Sequence, residues 1–279
     1  MTTPRIGFVG KGRVASGLGR ALRSGGCRIT GYAGRRPGSV GWSAIRRAGI
    51  ILICVPDDAL ETAARALAGQ PAAGLRGKVV LHTSGVASTA PLAGLRRRGA
   101  SVGTLHPLFA FPVRGGRAVS LRGVFFAVDG DRAACAAARR LVRCLGGRAL
   151  AITARQRPAY HLMATLAATG LAAVLESSLA IASRRLSLSE RKALQALMPL
   201  ARSVLDNVAR TSPRRALTGP AARGDERTIA RHLAALGHAR GLEEQLYRLV
   251  SLQAIDMARR DRRLGAASAS RMRRRLRRD

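Results

Sequence analysis

The sequence predicts an α/β fold, a doubly wound parallel sheet followed by an all-helical second half. Three observations carry this. Short apolar runs alternate with helical stretches over roughly the first 150 residues. One of these runs, Ile50-Ile51-Leu52-Ile53-Cys54-Val55, is continuously apolar, as a strand buried on both faces requires. After about residue 155 the strand signals stop.

In chain order, Arg5-Ile6-Gly7-Phe8-Val9 reads as a strand, a glycine turn follows, and Arg13–Arg23 reads as helix. Arg28–Ala33 is the second strand and the Ile50 run the third. Asp57–Leu67 is helix, Lys78–His82 strand, Leu92–Arg98 helix and Ser101–Leu105 strand. Val124–Val128 adds a strand, and Arg132–Leu145 a helix closed by Gly146-Gly147. In the second half Pro158 opens a helical pattern to about Arg185. Ser189–Asn207 continues as helix, with Pro199 expected to kink or interrupt it. Thr211–Gly224 is a loop rich in Pro, Gly and Arg. Asp225 is placed to cap a helix that ends at Gly237, and Leu242–Arg259 is the last clear helix. These readings divide the chain into 1–154, 155–265 and a basic tail, 266–279, which the sequence predicts to be frayed or flexible.

The 279 residues include 49 Lys plus Arg against 15 Asp plus Glu, a formal charge of +34. The excess is spread evenly: +19 over residues 1–150 and +15 over 151–279, so no one module forms a nucleic-acid arm. Only Lys11, Lys78 and Lys192 are lysines, and aromatics make up 3%, too few for base-stacking platforms. Nucleic acid is therefore not the expected partner. The four cysteines (Cys27, Cys54, Cys135, Cys144) show no CxxC pairing, so neither a metal site nor a disulfide framework is expected. The start, MTTPRIGFVGKG, lacks the apolar stretch of a signal peptide. Leu162–Leu175 is shorter than the ~20 residues that span a bilayer. The expectation is a soluble, cytoplasmic chain.

The strongest local signal is Gly10-Lys11-Gly12-Arg13-Val14-Ala15, directly after the first strand and opening a helix. Gly10 permits a tight turn, Gly12 lets the backbone approach a pyrophosphate, and small Ala15 lets the helix sit close to the sheet. The free N–H groups of the helix start favour phosphate. Val55 and Pro56, at the end of the third strand, complete the expected cofactor-binding set. An NAD site places a carboxylate about 20 residues further on. That region here reads Ala33-Gly34-Arg35-Arg36-Pro37, and Arg35 or Arg36 could bind a 2′-phosphate. NADP is therefore the expected cofactor.

Polar residues cluster where strands should end: Val55-Pro56-Asp57-Asp58, His82-Thr83-Ser84-Gly85 and His106-Pro107. In open α/β sheets the ligand lies outside the carboxyl ends of the strands. Reducing a carbonyl also needs a proton, for which histidine is the commonest donor. His161, Thr165 and Thr169 lie one helical turn apart on an alanine- and leucine-rich helix. Arg223, in Leu217–Asp225, could pair a substrate carboxylate, and Asp225 could equally be only a helix cap. The candidate catalytic residues are thus His161, His106, His82, Ser84 and Arg223.

The order glycine turn, VPDD, HTSG, LHPLF, YH and LTGPAARGD resembles a bacterial family of Rossmann-like proteins whose C-terminal helical domain is of unknown function. The family is similar to a branch of the 6-phosphogluconate dehydrogenase-like superfamily, which includes ketopantoate reductase and pyrroline-5-carboxylate reductase. The resemblance covers about residues 4–260. It implies an NADP-binding Rossmann-type domain, a helical C-terminal domain, a site in the cleft between them, and a homodimer formed through the helices. Its recurrent polar residues fall on His82, Ser84, His106, His161, Thr218, Arg223 and Asp225. Phe109 and Thr169 stand where members often carry glutamine and asparagine. The implied activity is NADP-dependent reduction of a small anionic carbonyl or imine acid, with a ketopantoate-like 2-oxo acid as a candidate. The alternative is a non-catalytic NADP-binding regulatory or partner protein.

Overall fold

The computed structural model describes residues 3–34, 41–69, 74–112, 119–237 and 241–277. They form two compact units, residues 1–166 and 167–279. The boundary falls twelve residues beyond the one drawn from the sequence, because the first unit takes in the opening helix of the helical half.

The first unit is built on a seven-stranded sheet of order β2-β1-β3-β4-β5-β6-β7. Its strands are β1 (Arg5–Val9), β2 (Arg28–Ala33), β3 (Ile50–Ile53), β4 (Val79–His82), β5 (Ser101–Pro107), β6 (Phe125–Gly130) and β7 (Arg148–Ala151). All neighbours are parallel except β5 and β6, which run antiparallel. The sheet is thus mostly parallel, as the doubly wound fold expected from the sequence has it, with one antiparallel pair. A parallel pair needs a crossover, and the β5–β6 connection carries no helix among its described residues, so the chain simply doubles back. Strand β7 has no counterpart in the sequence reading: its four residues, RALA, are all exposed and show no alternation.

Helices α1 (Arg13–Ser24), α2 (Trp42–Arg46), α3 (Leu60–Ala68), α4 (Ala93–Arg97) and α5 (Arg132–Cys144) cover the sheet. They produce two apolar layers. One gathers Phe8, Leu18, Leu22, Leu81, Phe126 and Leu141. The other gathers Trp42, Ile45, Ile51, Ile53, Leu67 and Val80. The unbroken apolar run of β3 is explained by this, since its alternate side chains feed opposite layers. Helix α6 (Arg157–Thr165) closes the unit, entered through a capping box between Thr153 and Gln156.

The second unit holds α7 (Leu171–Leu186), α8 (Glu190–Arg210), α9 (Pro213–Ala216), α10 (Pro220–Arg223), α11 (Glu226–Leu236), α12 (Leu242–Arg260) and α13 (Ala266–Arg277). Helix α8 runs through Pro199 without interruption. Asp225 caps α11 as expected, its carboxylate accepting the Thr228 N–H at 2.9 Å. The predicted loop between Thr211 and Gly224 contains two one-turn helices. The tail is corrected too. Residues 266–277 form α13, whose Ala269, Met272 and Leu276 are buried with Ile229, Ile255 and Leu264. Arginines on the other faces masked an i, i+3, i+7 apolar stripe.

The helical stretch Ala154–Leu186 spans 33 residues with a window of mean hydropathy 1.5, long and apolar enough by length and composition to cross a membrane. The sequence reading stopped at the uninterrupted apolar run and so underestimated it.

Candidate active site

The strand order reverses direction between β1 and β3, and the carboxyl ends of β1, β3, β4 and β5 share one edge. At the end of β1, Gly10 takes φ +105° and donates its N–H to the Ala33 carbonyl at 2.9 Å. A Cβ there would stand 2.3 Å from the Cys54 carbonyl oxygen, so glycine is required both for the turn and for the approach of β3. Gly12 is the N-cap of α1, with open space where a side chain would be. Lys11 and Arg13 are exposed, Val14 is half-buried and Ala15 is fully buried against the sheet. Farther along α1, the ring of Phe111 lies over Gly17, a close approach that the three-position glycine motif did not reveal. Val55 is half-buried and Pro56 exposed beside this turn, where Pro56 caps the 3₁₀ turn Asp57–Ala59. These residues fit a dinucleotide: a bare helix start, a crevice at the switch point and no carboxylate in Gly10–Ala15. Arg35 and Arg36 lie outside the described residues.

Strand register brings the histidines together. His82 ends β4 opposite Thr104 of β5, and His106 follows two residues later, on the same face as Thr104. His82 is fully buried, with both ring nitrogens engaged by backbone. Nε2 lies 2.9 Å from the Ser88 carbonyl, and Nδ1 accepts the Ser84 N–H at 3.2 Å. This pattern demands the Nε2–H tautomer and leaves no nitrogen for a substrate. The catalytic expectation for His82 is therefore corrected: it shapes the loop after β4. Ser84 is also a loop residue, its Oγ accepting the Ala87 N–H at 2.9 Å. Burial pushes the His82 imidazole down to about 4, with the Arg157 cation adding to the effect.

His106 and His161 converge. A Cβ on Gly85 would lie 2.9 Å from His106 Nε2 and 2.6 Å from His161 Cδ2, so the bare glycine admits both rings. The rings are 6.4 Å apart, edge to face. Tyr160, buried, reaches His106 from behind, with Oη 2.7 Å from Nδ1. Burial, His161 and Arg157 together hold His106 down at about 4, and burial pushes the Tyr160 hydroxyl up to about 12. At neutral pH the pair is thus an uncharged phenol on an uncharged imidazole, able to pass a proton without accumulating charge.

Beneath this pair sits Arg157, fully buried. Its Nη1 donates to the carbonyls of Ser84 and Gly85 at 3.2 and 3.3 Å, and Nη2 donates to Thr104 Oγ1. Nε lies 3.9 Å from Asp129 Oδ2 without a hydrogen bond. One guanidinium thus ties α6 to the loop after β4, to β5 and to β6. Sequence reasoning missed Arg157, Tyr160 and Gly85 as site residues. The Tyr160-His161 pair and the HTSG motif were visible, but Arg157 was one arginine among many. Arg223 belongs to the second unit, exposed at the end of α10. Thr169 lies in a π-helical turn, Leu166–Gly170. Phe109 packs edge-on against Phe111, ring centroids 5.2 Å apart, beside the first apolar layer.

Comparison with known proteins bears on both halves. Residues 124–254 match a Domain of unknown function, DUF2520. The DUF2520 match starts just before β6 and ends within α12. BF3122 from Bacteroides fragilis, to which NADP oxidoreductase activity is ascribed, shares the fold with TM-score 0.69 at 21% identity, covering 91% of this chain and 98% of its own. Protein TM1727 from Thermotoga maritima gives 0.69 at 22% identity, with 92% and 99% covered. A reductive aminase from Aspergillus terreus, in complex with NADPH and ethyl-5-oxohexanoate, gives 0.57 at 16% identity, with 99% and 93% covered. At these identities the likeness is one of fold. No curated protein sequence matches the chain significantly. The fold expected from the motifs is borne out: a Rossmann-type domain followed by helices, with DUF2520 matched over residues 124–254.

Proposed function

We propose that the protein is an NADP-dependent oxidoreductase that reduces the C=O or C=N bond of a small anionic acid, with a ketopantoate-like 2-oxo acid as a candidate. The observation that carries this is the meeting of His106, His161 and the Tyr160 hydroxyl at the edge where the glycine turn opens. Gly10, Gly12 and the start of α1 would hold the pyrophosphate, and Val55 and Pro56 would flank the cofactor. NADPH, when bound, supplies the hydride. His161, half-exposed, would give the proton to the substrate and take its replacement by way of the Tyr160–His106 pair, the proton coming finally from solvent so that neither partner is left charged. His82 and Ser84 hold the loop from which Gly85 admits both rings.

Titration of the purified protein with NADPH and NADP, followed by a panel of 2-oxo acids and cyclic imines, tests the reading. Binding below millimolar concentration and turnover with at least one substrate are expected. His161→Ala should lower kcat about 100-fold, and Tyr160→Phe, which keeps the ring, should lower it about 10-fold with KM little changed. Absence of cofactor binding at millimolar concentration overturns the proposal, and a His161→Ala variant as active as wild type removes that residue from the chemistry. Phe109, packed against Phe111 and offering no amide, favours a second reading, a non-catalytic NADP-binding partner protein. Binding without turnover across the panel would support that reading.

The assembly we propose is a homodimer through the helical unit. Of the 37 residues of α7 and α8, only Ala182 and Ala193 are buried, while Leu171, Leu194, Leu200 and Leu205 are exposed. An apolar face of this kind on two long helices fits a second copy of itself. Light scattering should give twice the 29.4 kDa chain mass, and a monomer at micromolar concentration would refute the dimer. The four free cysteines favour a reducing, cytoplasmic setting.

A further inference from the structure

Two of the four cysteines, far apart in the chain, meet where the end of α5 reaches the start of β2. Cys27 directly precedes β2, after the Gly25-Gly26 turn that closes α1, and Cys144 is the last residue of α5. Backbone bonds hold both in place. The Cys27 N–H donates to the Leu22 carbonyl at 2.9 Å, and beyond Cys144 the Gly147 N–H donates to the Val142 carbonyl at 3.0 Å. The two backbones press together: a Cβ on Gly25 would stand 2.2 Å from the Cys144 carbonyl oxygen. The Cys27 thiol is within hydrogen-bonding reach of Cys144, and both side chains belong to the first apolar layer. Cys27 is buried inside that layer, while Cys144 is half-buried on its rim. The other two thiols have different neighbours: Cys54 lies by Thr83, and Cys135 donates to the Gly130 carbonyl at 3.4 Å. No cluster of three His, Cys, Asp or Glu forms among the described residues, so the pair is not part of a metal set.

We propose that Cys27 and Cys144 form a reversible oxidation site, closed to a disulfide by a small hydroperoxide and reopened by a thiol, which staples the start of β2 to the end of α5. The two sulfurs have different parts. Burial pushes the Cys27 thiol up to about 12, its Cys144 neighbour adds to this, and the Arg140 cation one turn back on α5 opposes it. Cys27 is thus a poor first nucleophile, and half-buried Cys144 is the sulfur that a peroxide from solvent reaches. The Cys144 sulfur attacks the peroxide O–O bond and becomes a sulfenic acid, and the oxygen released leaves as water with the thiol's proton. The Cys27 sulfur then attacks the Cys144 sulfur, the S–O bond breaks, and the hydroxyl leaves with the Cys27 proton as a second water. Two thiols give up two electrons, and the peroxide is reduced to two waters. The closed bond shortens the unfolded chain's freedom over a long loop and asks little movement of the folded one. In a reducing compartment the staple is open and closes only transiently. The start of β2 lies at the opposite edge of the sheet from the glycine turn, so the staple does not depend on the reductase reading.

The test uses the full-length protein, reduced, freed of reductant and treated with an excess of hydrogen peroxide. Free thiols are counted, and a non-reducing digest is read by mass spectrometry. The count should fall from four to two, with one crosslinked peptide pair carrying Cys27 and Cys144. The melting temperature should rise by several degrees and return when dithiothreitol is added. Cys144→Ser, at the half-buried position, should abolish both the crosslink and the rise. Cys27→Ala should leave the Cys144 sulfenic acid without its partner, so that dimedone labels Cys144. That label reads the chemistry even if the variant folds less stably. Cys135→Ser should close the bond as the wild type does. Four thiols remaining after peroxide would overturn the site, as would a crosslink that joins Cys54 or Cys135 instead, or one that joins two chains. A melting temperature that falls when the Cys27–Cys144 bond forms would refute the staple.

Discussion

Replacing Arg157 with leucine should cost about 3 kcal/mol or more of folding stability, read as a lowered free energy of urea unfolding. Two effects compete. Leucine removes the cost of burying a cation whose nearest carboxylate is 3.9 Å away. It also strands the Ser84 and Gly85 carbonyls and the Thr104 hydroxyl, which Arg157 satisfies from a fully buried position. Each unsatisfied buried group costs about 1–3 kcal/mol, and hydrogen bonds to a charged donor are worth about 1.5–3 kcal/mol each. Three such losses outweigh the relief, and leucine also fills the space poorly. The same substitution removes a cation that depresses both His82 and His106, so both should titrate at higher pH, as seen in the histidine ring resonances. Arg157→Lys keeps the charge but loses the fork, and should fall between the two. A stability loss below about 1 kcal/mol for the leucine variant would show that Arg157 does not bind the site together.

How much of this site was legible follows from where each residue finds its partners. The glycine turn and the histidines at the ends of β4 and β5 could be read from order alone, because parallel strands put their carboxyl ends on one edge. His161 was legible as a polar residue on an apolar helix. Arg157 and Tyr160 were not, since their partners lie 53 to 73 residues away in the chain. In a chain with 49 basic side chains, one more arginine carries no signal, and only burial distinguishes Arg157 from its solvated neighbours. The role of His82 was misread for a related reason. The sequence shows a histidine at a strand end but not the Ser88 carbonyl and Ser84 N–H that occupy it. In α13 the information was present and overlooked: Ala269, Met272 and Leu276 mark the inner face plainly once the arginines between them are set aside. The antiparallel return of β6 depended on a connection with no helix among its described residues, a signal weaker than any motif.

The neutral histidines make the fold sensitive to mild acid, and the sign can be worked through. An unfolded histidine titrates near 6.5, whereas His82 and His106 in the folded protein titrate at about 4. Above pH 6.5 both states are neutral at these positions and stability does not depend on them. As the pH falls below 6.5, the unfolded chain binds protons that the folded protein refuses, so the unfolded state gains. The slope is about 1.4 kcal/mol per pH unit for each group. Between pH 6.5 and 5, before the carboxylates titrate, each histidine should remove about 2 kcal/mol, and the two together about 4 kcal/mol. Against a typical domain stability of about 5–15 kcal/mol, that is enough to unfold a marginal protein near pH 5. Urea unfolding at half-unit steps of pH measures it directly. Replacing His106 with glutamine should halve the slope, because the amide cannot take up a proton and can still reach the Tyr160 hydroxyl. A stability that stays level from pH 6.5 to 5 would mean that the folded protein takes up protons as readily as the unfolded chain. The Tyr160–His106 pair would then be charged where the proposed relay requires it to be neutral.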